Sequence, residues 1–295
     1  MFGLLGLFSA LLMGAVAESV MSIDKSSDED APDTSDDTPV THAGSEGEDI
    51  LEGGTMGDLL NGGEGDDQLL GHEGDDWLYG EEGEDIILGD FGDDDAHGGD
   101  GDDLLFGGSG NDELMGYGDD DVISGDEGDD KLIGGEGNDV LSGGDGKDSI
   151  EGGYGNDFLF GGLGEDTLMG NAGDDFLVGV ELDEDTQEDS DERDFLNGGD
   201  GNDRLVLGNN DYGSGGAGAD SFHLGEWIIE DNPAIITDFD SSEDQLIIEH
   251  SEEEDPEVQI HTQDGNSYVV LDDVIVATLP ETTTLSASDI QFVRI

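Results

Sequence analysis

A nine-residue sequence repeats without interruption from Gly44 to Val178, in fifteen consecutive copies. The first position is Gly and the sixth is Asp in every copy. The eighth position is Leu or Ile in fourteen copies, and Ala96 is the exception. A short fixed period means that each unit meets the same neighbours as the unit before it. The repeat therefore predicts a solenoid, in which successive copies stack along one axis.

The order of residues within one copy predicts a turn followed by a strand. Copies such as GGEGDDQLL (62–70) carry Gly at positions one, two and four, and glycine reaches backbone angles that are closed to other residues. The last three positions are expected to form a three-residue strand, whose eighth residue faces one side while the seventh and ninth face the other. The eighth-position residues should therefore form the core.

The charge of the chain limits what can stabilise such a solenoid. Six Lys and Arg residues stand against eighty Asp and Glu residues, which gives a formal net charge of -74 at pH 7. Self-repulsion of this size opposes folding unless a cation neutralises the carboxylates. A basic protein partner could do this, but carboxylates at a fixed period beside glycines point first to a hard metal ion such as calcium. Nucleic acid is excluded as a partner, because the chain has no basic surface to meet phosphates.

The best copies read G-G-x-G-x-D-x-U-x, where U is a large apolar residue; GGEGNDVLS (134–142) and GGYGNDFLF (152–160) are examples. This pattern resembles the calcium-binding nonapeptide of the RTX, or hemolysin-type, proteins of Gram-negative bacteria. The resemblance covers roughly Gly44 to Ile295. It implies an all-β fold, a calcium-stabilised parallel β-roll with two copies in each coil, so that copies n and n+2 stack as neighbours.

The resemblance also implies a set of metal ligands. Each calcium ion would take the sixth-position carboxylates of two stacked copies together with turn carbonyls, which matches the six to eight oxygens that calcium prefers. Roughly thirteen ions follow for the uninterrupted copies if each stacked pair binds one. The expected ligands are Asp49, Asp58, Asp67, Asp76, Asp85, Asp94, Asp103, Asp112, Asp121, Asp130, Asp139, Asp148, Asp157, Asp166, Asp175, Asp194, Asp203 and Asp220.

Composition divides the chain into successive parts. Residues 1–17 are an apolar segment, and residues 18–43 are an acidic stretch that we expect to be a disordered linker. The roll is expected over 44–223, with an acidic insertion at 179–193 that should form a loop. Beyond it the glycines stop, and short runs of β-branched residues predict a small β cap over 224–295.

Segments near both ends of the sequence have features of export signals. The apolar segment ends in an A-x-A pattern at Ala17, but its first basic residue is Lys25, so a secretory signal, a short membrane-associating segment and a packed segment all remain open. Residues 236–248 and 285–293 resemble the C-terminal segments of RTX proteins, which carry an uncleaved signal for type I secretion. This resemblance implies the type I secretion machinery as a partner and a secreted, extracellular or cell-surface location.

The outward positions seven and nine differ between alternate copies. In the copies that begin at Gly44, Gly62 and every second one after them, twelve of sixteen outward residues are apolar, against six of fourteen in the others. Such a stripe suggests a face covered by residues 1–17, by the cap or by self-association with a second copy. The alternative is strand propensity, which favours β-branched and aromatic residues anyway. The twelve are Ile50, Leu70, Ile86, Leu88, Leu104, Phe106, Val122, Val140, Phe158, Phe160, Phe176 and Val178.

Catalytic signatures are missing from the sequence. His72-Glu73 is not followed by the second His of a zinc-protease motif, and no G-x-S-x-G elbow occurs. We therefore expect no enzyme, but a secreted calcium-binding repeat protein that folds on export and has a surface, matrix or adhesion role. The alternatives are an exported effector or toxin-like protein, or the non-catalytic remnant of a secreted hydrolase.

Overall fold

The computed structural model describes residues 38–182, 189, 191–229, 232–251, 256–282 and 285–294. The expectations for the apolar segment 1–17 and for most of the acidic stretch before the repeats fall outside these residues. Within the described part of the chain, no helix is long and apolar enough to cross a membrane.

Two sheets wind around a common axis, and through the roll their strands pair in parallel and alternate between the sheets along the chain. Sheet A contains β1 (Thr41–Ala43), β3 (Leu59–Glu64), β5 (Trp77–Glu82), β7 (Asp95–Asp100), β9 (Glu113–Gly118), β11 (Lys131–Glu136), β13 (Ser149–Tyr154), β15 (Thr167–Ala172), β17 (Phe195–Asp200), β19 (Tyr212–Ala217), β21 (Ala234–Ile236), β23 (Val258–Gln263), β24 (Asn266–Leu271) and β25 (Val274–Leu279). Sheet B contains β2 (Ile50–Glu52), β4 (Gln68–Glu73), β6 (Ile86–Phe91), β8 (Leu104–Ser109), β10 (Val122–Glu127), β12 (Val140–Asp145), β14 (Phe158–Leu163), β16 (Phe176–Val178), β18 (Arg204–Val206), β20 (Ser221–Gly225), β22 (Gln245–His250) and β26 (Ile290–Arg294).

Copies n and n+2 lie side by side, as the resemblance to RTX proteins implies. In sheet B, Val122 pairs with Leu104 on one side and with Val140 on the other, each eighteen residues away. Two nonapeptides therefore complete one coil, and the parallel β-roll is confirmed. The assignment of alternate copies to opposite sheets is confirmed as well.

A single file of eighth-position residues fills the space between the sheets. Every one of them from Leu60 to Leu177 is at most 1% exposed, including the small Ala96. Each coil thus contributes only two large apolar side chains to the interior, one from each sheet. A core this thin gives each coil little stability of its own, and stacking is required to complete it.

The strands are longer than the sequence suggests. Most of them contain six residues, because parallel pairing continues through the first three positions of the next copy, even though the residue at position two has positive φ. In β10, for example, Asp126 at position two still pairs with Gly144 of the next coil. The expectation of a three-residue strand was therefore wrong, because a Gly-Gly pair that usually signals a turn here continues the ladder.

The roll also begins earlier than expected. Thr41–Ala43 form β1, which pairs in parallel with Leu59–Asn61 of β3. The backbone N–H of Val40 donates to Asp58 Oδ1 at 2.5 Å, as a sixth-position residue would. The last residues of the 18–43 linker thus belong to the roll, because strand pairing needs backbone groups and not the glycine pattern.

The C-terminal strands continue both sheets. β21 and β25 extend sheet A, and β22 and β26 extend sheet B, so the cap is the end of the roll and has no separate layer. Two hairpins then reverse the chain in sheet A, at Asp264-Gly265 and at Asp272-Asp273, and all four residues have positive φ. Such pairs of left-handed residues form the tight turns that match the twist of antiparallel strands. The predicted β-branched strands are confirmed.

First-position glycines are required by a close approach inside the roll. A Cβ at Gly143 would lie 2.5 Å from the carbonyl oxygen of Gly161, and nearer still to Oδ2 of Asp148. The φ of Gly143 is not among the positive values, so space and not backbone angle excludes other residues here. At Gly118, by contrast, there is room for a side chain, because a Cβ there would have no atom within 4 Å.

The Gly143→Ala substitution is expected to destabilise the roll by about 1–3 kcal/mol, because overpacking forces the backbone or the Asp148 carboxylate to move. Gly118→Ala should be neutral or stabilise by up to about 1 kcal/mol through the unfolded state. Urea unfolding of both variants in excess calcium measures the difference. Equal unfolding midpoints for the two would contradict the close approach.

Candidate metal centre

The sixth-position aspartates lie where a turn enters each strand, and they stack in two rows along the two edges of the roll. From Asp58 to Asp220 all of the expected ligands are buried, and Asp49 at the open end is half-buried. The first row, which leads into sheet B, contains Asp49, Asp67, Asp85, Asp103, Asp121, Asp139, Asp157, Asp175, Asp203 and Asp220. The second row, which leads into sheet A, contains Asp58, Asp76, Asp94, Asp112, Asp130, Asp148, Asp166 and Asp194.

One oxygen of each carboxylate joins neighbouring coils. The backbone N–H of Asp103 donates to Asp121 Oδ1 at 2.9 Å, and that of Asp121 donates to Asp139 Oδ1 at 2.9 Å. The same bond recurs through both rows, so each row is a continuous ladder of N–H to carboxylate hydrogen bonds. Hydrogen bonds to a charged acceptor are stronger than neutral ones, at about 1.5–3 kcal/mol each.

The other oxygen is buried and has no hydrogen-bond partner among the described residues. Asp49 and Asp58, at the N-terminal end of the rows, are exceptions, because the backbone N–H groups of Ser45 and Gly54 donate hydrogen bonds to their Oδ2 atoms. Oδ2 atoms in this unpaired state belong to Asp67, Asp76, Asp85, Asp94, Asp103, Asp112, Asp121, Asp130, Asp139, Asp148, Asp157, Asp166, Asp175, Asp194 and Asp203. A buried carboxylate oxygen without a partner is costly, and a row of them demands positive charge.

Burial sets the electrostatics of both rows. It raises the pKa of Asp121 to about 8, with the neighbouring Asp103 and Asp139 charges adding to the shift. Burial likewise raises the pKa of Asp103 and of Asp94 to about 7. Buried carboxylate oxygens at a regular spacing fit a hard cation such as calcium. The oxygen ligands of the two rows are therefore of the kind that calcium prefers.

The rows extend beyond the ligands expected from the repeat. Asp194 N donates to Asp211 Oδ1 at 2.9 Å, and Asp220 N donates to Asp244 Oδ1 at 3.1 Å. Both acceptors were missed, because Asp211 lies in an eight-residue copy (207–214) and Asp244 lies beyond the last copy. Each of them directly precedes a strand, which is the signal that could have found them.

A second, exposed ladder runs beside each row at position five. Asp120 Oδ1 accepts hydrogen bonds from the backbone N–H of Asn138 at 2.7 Å and from its side-chain amide at 2.9 Å, which together lower the pKa of Asp120. Position five is Asp or Asn in ten of the fifteen copies, a preference that was visible in the sequence but not used. These side chains already have partners, so their arrangement supports a role in closing the turns.

At one place the second row gains a third carboxylate. Oxygen atoms of Asp166, Asp191 and Asp194 lie within 4.8 Å of one another. Asp166 and Asp194 were expected as ligands, whereas Asp191 belongs to the insertion at 179–193 and was not. Burial raises the pKa of Asp191 to about 7.

Among the comparisons with known proteins, the family model agrees with this geometry. No curated protein matches the chain significantly. Among solved structures, the extracellular lipase LipA from Serratia marcescens is 17% identical with a TM-score of 0.26; the match covers 65% of this chain and 40% of the lipase, and we draw no conclusion about activity from it. The family model of the RTX calcium-binding nonapeptide repeat matches residues 43–78, 61–96, 79–114, 97–132, 106–141, 115–150, 142–177 and 185–212. Since these segments cover more than half of the chain, the protein belongs to the family with RTX calcium-binding nonapeptide repeats, and calcium ions are its ligands.

Proposed function

We propose that this protein is exported unfolded and that its roll folds outside the cell when calcium neutralises the two rows of aspartates. The observation that carries the proposal is the set of buried Oδ2 atoms without hydrogen-bond partners among the described residues. Without a cation, the folded state would hold two rows of like charges in a poorly solvated interior. The metal-free roll is therefore the less stable state.

Metal binding and folding are then the same event. The turns that place the carboxylates exist only in the stacked coils, so the free energy of calcium binding becomes free energy of folding. Extracellular calcium modules work with dissociation constants of about 10⁻⁴–10⁻³ M, which lie far above the calcium level of a cytoplasm. A threshold in this range keeps the chain unfolded before export and folds it afterwards.

The sixth-position aspartates and the turn carbonyls would hold the ions. One ion for each stacked pair gives roughly thirteen in the uninterrupted copies. Asp211 and Asp244 continue the two rows, so sites near the C-terminal end could add to that number.

Full-length protein is expected to be largely unfolded in chelator and to gain β structure cooperatively as free calcium rises into the millimolar range. Asp121→Asn should raise the calcium midpoint, because it removes one buried charge while an amide oxygen can still accept the Asp103 N–H. Circular dichroism against buffered free calcium measures both midpoints. Asp120→Asn is the matched control, since it removes an exposed charge one residue away.

Equal structure in chelator and in calcium would contradict the coupling of folding to calcium. Equal shifts for the two variants would contradict the role of the buried row. Counting bound ions by equilibrium dialysis on the same samples tests the expected stoichiometry separately.

Protons should replace calcium in part, because they neutralise the same oxygens. Burial raises the pKa of Asp121 from its ordinary value of 3.8 to about 8, and that of Asp94 to about 7. Between about pH 4 and pH 8 folded chains hold more protons than unfolded chains, so this contribution to stability is fully present below about pH 4 and is lost as the pH rises to about 8. We expect the metal-free protein to gain β structure as the pH falls from about 8 to about 5. Ellipticity in chelator that stays constant or decreases over this range would contradict the prediction.

Export through the type I secretion machinery is part of the proposal. The segment 285–293 that resembles the family's signal contains the start of β26, the outermost strand of sheet B. In the unfolded chain this segment is available to the machinery, and in the folded protein it closes the sheet. Deletion of the last strand should therefore affect both secretion and calcium-dependent folding.

The outer face of sheet B supports a surface or matrix role through self-association. Phe158 is 46% exposed and packs edge-to-face on Phe176, with ring centroids 5.5 Å apart. Phe160 lies 6.4 Å from Phe176 on the same face. An aromatic patch that continues into a row of aliphatic side chains suits contact with a second copy of the same face.

Phe158→Ser combined with Phe160→Ser is expected to reduce association of the calcium-loaded protein, because it removes two of the three phenylalanines of the aromatic patch while the fully buried eighth-position residues remain. Analytical ultracentrifugation in excess calcium at about 0.15 M salt measures the change. Phe195→Ser, at a residue of sheet A that is 40% exposed, is the matched control. An unchanged oligomeric state in the double variant would contradict self-association through this face.

A further inference from the structure

The insertion changes one hydrogen bond that the other coils repeat. In regular coils the N–H of a fourth-position glycine donates to the third-position carbonyl two copies on, as Gly146 donates to Leu163 O at 2.7 Å and Gly155 to Ala172 O at 2.9 Å. The N–H of Gly164 instead donates to Asp191 Oδ1 at 2.6 Å. A carboxylate therefore stands in a turn where the rest of the roll uses a neutral carbonyl.

This carboxylate lies beside a stacked pair of the second row. The ligand atoms of Asp166, Asp191 and Asp194 lie within 4.8 Å of one another. Asp166 and Asp194 are 0% exposed, and their Oδ1 atoms accept from Asp148 N and from Asp166 N, both at 2.8 Å. The Oδ2 atoms of all three are buried and have no hydrogen-bond partner in the described part of the chain.

The adjacent basic side chain does not neutralise the cluster. The guanidinium group of Arg193 lies over the ring of Tyr212, 6.0 Å from its centroid. Within the described residues no ion pair joins a Lys, Arg or His side chain to any of the three carboxylates. Three buried negative groups thus share one small volume.

We propose that the insertion supplies Asp191 as the third carboxylate of a calcium site that is tighter than the repeat sites and fills first. The inference rests on the proposed function, since Asp166 and Asp194 belong to the row that binds calcium. Affinity for calcium depends on the number of charged ligands and on the rigidity of the site. A third carboxylate leaves net negative charge even after one divalent ion binds, whereas a stacked pair is only neutralised.

The position of the site gives it a structural consequence. It lies where the insertion separates Asp166 from its stacked partner Asp194 by twenty-eight residues, against eighteen between the earlier members of the row. Closing this longer loop costs more chain entropy than closing a regular coil. An ion bound early to Asp191 and both row members would hold the longer loop closed, so that coils on either side stack in register.

The Asp191→Asn substitution distinguishes two roles of this side chain, that of a charged calcium ligand and that of a hydrogen-bond acceptor. The amide oxygen can still accept from Gly164 N, while the charge is lost, so a purely structural Asp191 would tolerate the change. Asp129→Asn is the matched control, because the Asp129 carboxylate also accepts a turn N–H, from Lys147 at 3.0 Å, but is exposed.

Equilibrium dialysis of full-length protein with radioactive calcium tests the site. Wild type and Asp129→Asn are expected to bind one ion at free calcium about tenfold below the midpoint of the others, and Asp191→Asn should lose that ion while it keeps the rest. The inference would be overturned if wild type bound all of its calcium ions with one midpoint, or if Asp129→Asn and Asp191→Asn both lost the tighter ion. Either result would leave the proposed function intact. If wild type binds no calcium at all, the proposed function itself fails.

Discussion

The ladder of hydrogen bonds from backbone N–H to aspartate Oδ1 is the interaction on which the rest of the roll depends. It fixes each coil against the next at the point where the chain turns into a strand, as between Asp103 and Asp121. The same side chain brings its second oxygen into the interior without a partner. The bond that sets the register thus creates a demand for positive charge, and structure and metal requirement have a common origin.

The invariant glycine follows from the same geometry. Oδ2 of Asp148 occupies the space that a Cβ of Gly143 would need, and Gly134 stands in the same relation to Asp139. Positions one and six are therefore one structural unit, in which the missing side chain of the first makes room for the carboxylate of the second. The invariance of both is explained by contact between them as well as by turn conformation.

Much of the fold could be predicted from the sequence, because a solenoid repeats one local solution. The period predicted a stack of identical units, and Leu or Ile at position eight predicted the core. Two copies in each coil, and therefore two sheets, followed from the resemblance to RTX proteins. The strand length could not be read from the pattern, since Gly-Gly pairs are equally compatible with a turn and with the close-packed edge seen here. Asp211 and Asp244 escaped prediction because the rows depend on stacking in space, which continues where the period in sequence has ended.

The thin core explains why the ends of the roll are built differently from its middle. Two apolar side chains for each coil supply about 3–6 kcal/mol of burial at most, which must offset the ordering of eighteen residues. No isolated coil can offset that ordering cost, so the stability of the roll comes from stacking and from bound cations. A last coil without a cap would lose the contacts of a stacked neighbour and the carboxylate that the neighbour supplies. At the C-terminal end, Phe222 of the last copy and Phe239 of the cap bring aromatic bulk to the interior, and the antiparallel β24 and β23 end sheet A. The larger core there compensates for the absence of a further coil.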